Sequence, residues 1–156
     1  MAQNFIDFAN NKHAVAGSSR LRATVTGDIY NIKITTNLDN GSIIGRGDYA
    51  APEYYKQAAA TTFAGKIIGQ AANGNYYVEV TEATNAYLVL QVPLTYYEFS
   101  TAASAESTFY NAAEDIVRCY QLFVGDVFEL SAEGFTGSPK VGSTVSVASN
   151  KVKVGA

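Results

Sequence analysis

Short runs in which apolar and polar residues alternate place the strongest constraint on the fold. Residues 28–35 (DIYNIKIT) and 75–82 (NYYVEVTE) alternate with a period of two, which predicts half-buried strands. Residues 87–92 (YLVLQV) are apolar on both faces, which predicts a central strand, and Pro93 ends it because a central strand needs every N–H. Further short strands are predicted at residues 65–69, 116–122 and 127–130. Short strands with turn residues roughly every 8–12 positions predict an all-β domain, either a β-sandwich or a small β-barrel.

Turn residues between these runs predict two hairpins. The Asn-Gly pair at residues 40–41 tolerates positive φ, so it predicts a tight turn after strand 28–35. Residues 42–48 (SIIGRGD) are then expected to pair back as the second strand of that hairpin. A last hairpin is expected to join residues 143–148 to residues 151–154.

One short helix is predicted at residues 50–64. Pro52 suits the first turn of a helix, where its missing N–H is not required, and the following residues have reasonable helix propensity. Residues 1–20 lack any periodicity and predict an extended N-terminal arm, which leaves residues 21–156 as a single β-rich domain.

Two apolar or aromatic groups outside the predicted strands are candidates for partner binding. Phe5, Ile6 and Phe8 form a short cluster in the arm, which either packs on its own domain or reaches a neighbour. Tyr96 and Tyr97 begin a long connector that is rich in Ala, Ser and Thr. Connectors of that length are usually functional, bound to a partner or partly helical.

The charge content points to protein partners. Charged residues make up 16% of the chain, against about 25% in an average soluble domain. Polar residues are mainly Ser, Thr, Asn, Gln and Tyr, and Tyr is enriched where proteins meet. This composition favours a homo-oligomer or docking onto a large partner, although β proteins are also simply rich in Tyr and Thr.

The same composition argues against nucleic acid and membrane partners. A net charge of -3 without a Lys/Arg cluster does not neutralise phosphates, so no nucleic-acid partner is expected. No apolar run is long enough to cross a membrane as a helix. Residues 1–17 lack both a basic start and an apolar run, so we expect synthesis in the cytoplasm without a secretion signal.

Reactive side chains are too few for an ordinary active site. His13, the one histidine, lies in the predicted arm, and Cys119, the one thiol, lies in a predicted strand. The acidic residues at 114–115, and Asp126 with Glu129, are expected to be solvated carboxylates near turns. We therefore expect no enzyme activity, no cofactor and no metal site.

Two patterns keep a carbohydrate-binding or adhesion module open as an alternative. Adjacent tyrosines occur at residues 54–55, 76–77 and 96–97, and in strands each pair sends one ring inward and one outward. Outward rings can stack on a glycan or a protein. Arg46-Gly47-Asp48 is the tripeptide that integrins recognise in extracellular ligands. The alternative interpretation of these residues is a turn at the end of a strand.

The C-terminal third carries a resemblance to a family. Residues 124–135 (VGDVFELSAEGF), 140–147 (KVGSTVSV) and the final KVKV look like small β-rich virion proteins of tailed bacteriophages, and the chain is similar in style to their head decoration (cement, or auxiliary capsid) proteins. The resemblance implies a non-enzymatic protein of the virion that binds the outer capsid surface, has the major capsid protein as partner and often forms oligomers. Another virion component, in the tail, baseplate or minor capsid, is the alternative.

Overall fold

Two β-sheets make up most of residues 14–50, 54–91 and 110–155, which the computed structural model of the protein describes. Its strands are β1 Ala16–Arg20, β2 Ile29–Lys33, β3 Ile43–Ala50, β4 Tyr54–Ala58, β5 Thr62–Gln70, β6 Tyr76–Thr84, β7 Tyr87–Val89, β8 Ile116–Gln121, β9 Val127–Leu130, β10 Phe135–Thr136, β11 Thr144–Ala148 and β12 Lys151–Val154. One α-helical turn, α1, covers Ala23–Thr26, and one 3-10 turn covers Ala132–Gly134.

The sheets differ in form. Seven strands pair in the order β1-β9-β6-β5-β11-β12-β10 in an open sheet, and five close into a barrel in the order β2-β4-β3-β7-β8, with β8 pairing back to β2. The pairs β2–β4 and β10–β12 are parallel. The predicted all-β class is therefore confirmed, and the chain combines a barrel with an open sheet.

Two adjacent barrel strands, β7 and the first part of β3, are buried on both faces. Ile43 and Leu88 pack with the residues of the open sheet in one apolar core. Their neighbours Ile44, Tyr87 and Val89 pack inside the barrel in a second core. The apolar character of residues 87–89 on both faces thus has the predicted origin: β7 is a central strand between two cores.

The last part of the predicted arm belongs to the open sheet. Ala16–Arg20 forms β1, which pairs antiparallel with β9 at the edge. Just before it, the Val15 N–H donates to Ser131 Oγ over 2.9 Å, and the Ser131 N–H donates to the Val15 carbonyl over 2.8 Å. Residues 14–20 therefore pack on their own domain.

The helix predicted at residues 50–64 is wrong, because Tyr54–Ala58 and the residues from Thr62 onward are strands. Strand β4 lies between β2 and β3 and is needed to close the barrel. A weak helix propensity is readily overridden by such tertiary pairing. Within the described residues the one short α-helix is Ala23–Thr26 instead, and it ends at Gly27 in the left-handed conformation, with φ of 80°.

The hairpin predicted at residues 40–41 is also wrong in its pairing. Gly41 has a φ of 90°, as a turn residue should, and a strand follows it. That strand, β3, pairs with β4 and β7, whereas β2 pairs with β4 and β8. The turn residues correctly predicted where the chain bends. Which strands pair with each other depends on the tertiary structure.

The last hairpin is confirmed. Strands β11 and β12 pair antiparallel, with Val145 opposite Val154 and Ala148 opposite Lys151. Ser149 and Asn150 form the connection with φ values of 50° and 64°. Two consecutive residues of positive φ suit a two-residue hairpin, because that backbone twist matches the twist of the strands.

Gly45 in β3 offers a test of how closely the barrel strands approach. A Cβ at this position would overlap the backbone carbonyl of Ala59 and touch Asn85 Nδ2 at 3.0 Å. We expect Gly45→Ala to lower the free energy of unfolding by about 1–3 kcal/mol, since the obstacle is backbone and not a flexible side chain. Urea unfolding followed by circular dichroism measures this.

Gly69 in β5 is the matched control for that substitution. Its Cβ would meet only Tyr77 Cδ2, at an ordinary 3.8 Å. Gly69→Ala is expected to leave stability unchanged or to raise it slightly, because alanine restricts the unfolded chain. Equal effects of the two substitutions would contradict the crowding at Gly45.

Candidate functional site

Distant parts of the chain meet at the segment 38–40, just before β3. The Ala14 N–H donates to Asp39 Oδ2 over 3.0 Å. Leu38 and Asn111 form an isolated antiparallel bridge with N–H···O distances of 2.9 and 2.8 Å. Asn40 binds Gln91, the last described residue before position 92. We call Leu38, Asp39, Asn40, Gln91 and Asn111 the Asn40 junction.

Asn40 holds the junction together through its side-chain amide. Its Nδ2 donates to the Gln91 carbonyl over 2.8 Å, and its Oδ1 accepts from the Gln91 N–H over 3.0 Å. The same Oδ1 accepts from Asn111 Nδ2 over 3.1 Å, and that Nδ2 also lies 3.1 Å from the Leu38 carbonyl. Asn40 and Asn111 are both buried, so these bonds satisfy amides that water does not reach.

All five residues predicted to bind a partner lie outside the described residues. These are Phe5, Ile6, Phe8, Tyr96 and Tyr97. Their role stays a prediction.

The structure does locate the points at which their segments join the domain. Ala14 follows the first segment and bonds to Asp39; Gln91 precedes the second segment and bonds to Asn40. Asn111, close to the end of the second segment, bonds to Asn40 as well. Residues 1–13 and 92–109 therefore join the domain at one place.

A recess lies beside the junction. It has a volume of about 200 Å³ and opens to solvent. Its walls are residues 37–42, residues 149–151, Ala14 and Gly134. Polar and apolar atoms contribute about equally to this lining.

A second constellation lies at one end of the barrel, where three tyrosine rings surround one arginine. The Arg46 guanidinium carbon lies 4.2 Å from the ring centre of Tyr30, 4.7 Å from that of Tyr55 and 5.7 Å from that of Tyr87. Tyr30 meets both other rings edge-on, each at 5.7 Å. We call these four residues the tyrosine–arginine cluster.

Packing in the cluster follows from strand alternation and burial. Arg46 is two residues after Ile44, which points into the barrel, so the Arg46 side chain points the same way. Tyr87 is buried, and this burial raises the pKa of its hydroxyl, an effect that the positive charge of Arg46 partly opposes. Tyr49 extends the cluster outward: its ring meets Tyr55 at 5.3 Å and is largely exposed.

Arg46-Gly47-Asp48 lies within β3 and not at the end of a loop. The register of β3 against β4 shifts between Arg46 and Tyr49, which marks a bulge at Gly47 and Asp48. Arg46 is half-buried against the tyrosines while Asp48 is exposed. The tripeptide thus does not present its cation and carboxylate together on a protruding turn.

The tyrosine pairs in the described part of the chain split as expected. Tyr55 packs on the barrel core, and Tyr54 faces outward with Lys33 Nζ 5.5 Å from its ring centre. Tyr76 packs on the other core and meets Phe135 edge-on at 5.8 Å, and Tyr77 lies on the opposite face. Because Tyr54 and Tyr77 belong to different sheets, they do not form a row along one sheet face.

The candidate catalytic groups Cys119, Asp126 and Glu114 are all held in structural roles. Cys119 is fully buried inside the barrel, and this burial raises the pKa of its thiol strongly. Buried Asp126 accepts from the N–H groups of Arg22 and Phe123 at 3.1 and 2.8 Å, which fixes the turn before β9. Exposed Glu114 pairs with Lys33 at 3.4 Å.

The described residues contain neither a group of side chains suited to a metal ion nor a helix suited to crossing a membrane. In residues 14–50, 54–91 and 110–155, no group of three or more His, Cys, Asp or Glu side chains is placed to hold a metal ion. None of the helices in these ranges has the length and apolar character required to cross a membrane.

Comparisons with known proteins identify no relative. The chain matches no protein-family model, and neither a characterised protein nor a solved structure matches it significantly.

Both constellations were missed by the sequence analysis. The alternation of β2 and β3 already places Tyr30 and Arg46 on inward faces, so a charged residue at a core position was the available signal. For Asn40 and Asn111 the signal was weaker, because Asn is common in turns and nothing local shows that it will be buried.

Asn40→Ala tests the junction. The substitution removes the side-chain partner of the Gln91 backbone groups and one of the two acceptors of the Asn111 amide. We expect the free energy of unfolding to fall by roughly 2–4 kcal/mol, since each buried polar group left unpaired costs about 1–3 kcal/mol. Asn31→Ala on the exposed side of β2 is the control, and its effect should stay within about 0.5 kcal/mol. Equal urea midpoints for the two variants would contradict the role of Asn40.

Cys119 offers a test of the closed barrel. Because burial raises the pKa of its thiol, the reactive thiolate is not formed at pH 8 in the folded protein. We expect no reaction with Ellman's reagent until guanidinium unfolds the chain, after which one thiol should react. Rapid reaction of the folded protein would contradict a sealed interior.

Proposed function

We propose that this chain is a non-enzymatic structural protein of a tailed-phage virion that binds the outer capsid surface as a head decoration protein. Its partner in this proposal is the major capsid protein. The observation that carries the proposal is the Asn40 junction, where residues 1–13 and 92–109 join the domain together. These two segments contain every residue that the sequence predicts to bind a partner.

Joining at one place allows both segments to contact the same partner surface. Two contacts made from one body act together, because binding of the first raises the effective concentration of the second. Ala14 and Gln91 are tied to neighbouring residues, Asp39 and Asn40, so their separation is set by the domain. A decoration protein needs contacts that cover a large surface, and attachment of both segments at one place supports this role.

Stabilisation of the capsid would follow from mass action. A protein that binds the expanded shell and not its precursor lowers the free energy of the expanded state by its binding free energy. Contacts that cross the boundaries between capsid subunits add to this effect.

The surroundings of the thiol support a binding role over catalysis. Cys119 is the one strong side-chain nucleophile that the sequence offered, and it lies in the barrel core with a raised pKa. Asp126 is occupied in a turn and Glu114 in a surface ion pair. The low charge content also suits a surface that is covered by protein.

Co-sedimentation of the recombinant chain with expanded and unexpanded shells, built from the capsid protein of the same virus, tests the proposal. We expect binding to expanded shells only. Replacing Phe5, Ile6 and Phe8 by serine should weaken binding by at least about tenfold, or roughly 1.4 kcal/mol. Tyr96→Ser with Tyr97→Ser should do the same.

The controls separate binding from folding. Deletion of residues 2–12 should weaken binding and leave the unfolding midpoint unchanged, because β1 and Ala14 are retained. Ile68→Ser with Tyr77→Ser changes side chains on the outer face of the open sheet and should leave binding unchanged. No association with either shell would refute the proposal, and unchanged affinity of the serine variants would refute the assignment of these segments.

A further inference from the structure

The guanidinium of Arg46 is held by rings and not by an acid. Its carbon lies within 6 Å of three ring centres, and the closest, that of Tyr30, is at 4.2 Å. Among the described residues, no carboxylate forms an ion pair with it and no oxygen accepts a hydrogen bond from its side chain. Cation–π contacts balance part of its charge, and its five N–H donors remain available.

The tyrosine hydroxyls around Arg46 are the second set of hydrogen-bond donors in the cluster. Within the described part of the chain, the hydroxyls of Tyr30, Tyr55 and Tyr87 make no hydrogen bond to another residue. Tyr87 as a whole is only 2% exposed, and its ring packs edge-on against Tyr30. The cluster therefore combines one guanidinium and three hydroxyl groups that can donate hydrogen bonds to a bound acceptor.

A carboxylate is the ligand that this chemistry fits. The guanidinium fork matches the two oxygens of a carboxylate, and tyrosine hydroxyls can donate to the same oxygens. The cluster contains one positive charge, and Asp28 is near enough to act electrostatically on Tyr87. A singly charged anion is therefore favoured over a phosphate dianion, which would meet more repulsion and too little positive charge.

The edge of the cluster indicates where the carboxylate comes from. Tyr49 is 62% exposed and its ring packs on Tyr55, so an aromatic surface borders the half-buried guanidinium. Tyrosine and arginine side by side on a surface are the residue types that dominate binding energy in protein interfaces. An aromatic border also packs well on the methylene groups of an acidic side chain.

We propose that the tyrosine–arginine cluster is a docking site for the side-chain carboxylate of an aspartate or glutamate on a partner protein. Arg46 pairs with the carboxylate, the hydroxyls of the surrounding tyrosines donate to it, and Tyr49 packs on the side chain that carries it. This site is separate from residues 1–13 and 92–109. It stands whether or not the partner is a capsid.

A titration followed by NMR tests the site on the full chain. The Arg46 Nε–Hε signal, assigned by its loss in Arg46→Lys, is followed while sodium acetate is added at constant ionic strength. Arg22 is the internal control, because it is exposed and its guanidinium carbon lies 5.5 Å from the centre of one ring, that of Phe123. We expect a saturable shift for Arg46, with an affinity at least about tenfold above that of Arg22.

Three further measurements define the ligand. A capped peptide that contains one glutamate should bind more tightly than acetate, and the same peptide with glutamine should not bind. Tyr87→Phe, which removes only the hydroxyl, should weaken acetate binding. Inorganic phosphate should shift the signal less than acetate at equal concentration.

Three results would overturn the proposal. The first is a linear Arg46 shift equal to that of Arg22, which would show that acetate acts only through nonspecific ionic interactions. The second is saturation by phosphate without saturation by acetate. The third is equal binding of the glutamate and glutamine peptides. If Arg46→Lys proves unstable, the signal can be assigned by triple-resonance spectra, and the wild-type titration alone then decides.

Discussion

The wall formed by β3 and β7 is the part of the structure on which both cores depend. Consecutive residues in each strand point to opposite faces, so Ile43 and Leu88 complete one core while Ile44 and Val89 complete the other. A substitution in this wall changes the core packing of both the open sheet and the barrel. This wall therefore joins two sheets that share no hydrogen-bonded strand pair within the described residues.

Closure of the barrel around that wall creates the tyrosine–arginine cluster. Aliphatic side chains fill its interior near Ile44, and at one end the inward positions become Tyr30, Arg46 and Tyr55. Their rings bury apolar area and still provide hydroxyl groups, so they suit the boundary between core and water. The arginine lies where an interior ends, which is why a charge is tolerated at an inward position.

The Asn40 junction has a different role, because it holds residues that adjoin segments 1–13 and 92–109. The backbone groups of Gln91 and Leu38 are paired there by the side chains of Asn40 and Asn111. The sequence marked Phe5, Ile6, Phe8, Tyr96 and Tyr97 as unusual. It contained no sign that their segments start at a common point, since that depends on contacts between residues far apart in the chain.

Alternation and turn chemistry, both local properties, predicted the all-β class and most of the strands from the sequence alone. In β11–β12 they also predicted the pairing, because a two-residue turn leaves one register. Pairing across long distances was decided by the tertiary structure. Tyr54–Ala58 became a strand and not a helix because it fills the gap between β2 and β3, and a gain shared by two strands outweighs a weak local preference. The two candidate sites belong to this second category, since each joins side chains from at least three separate segments.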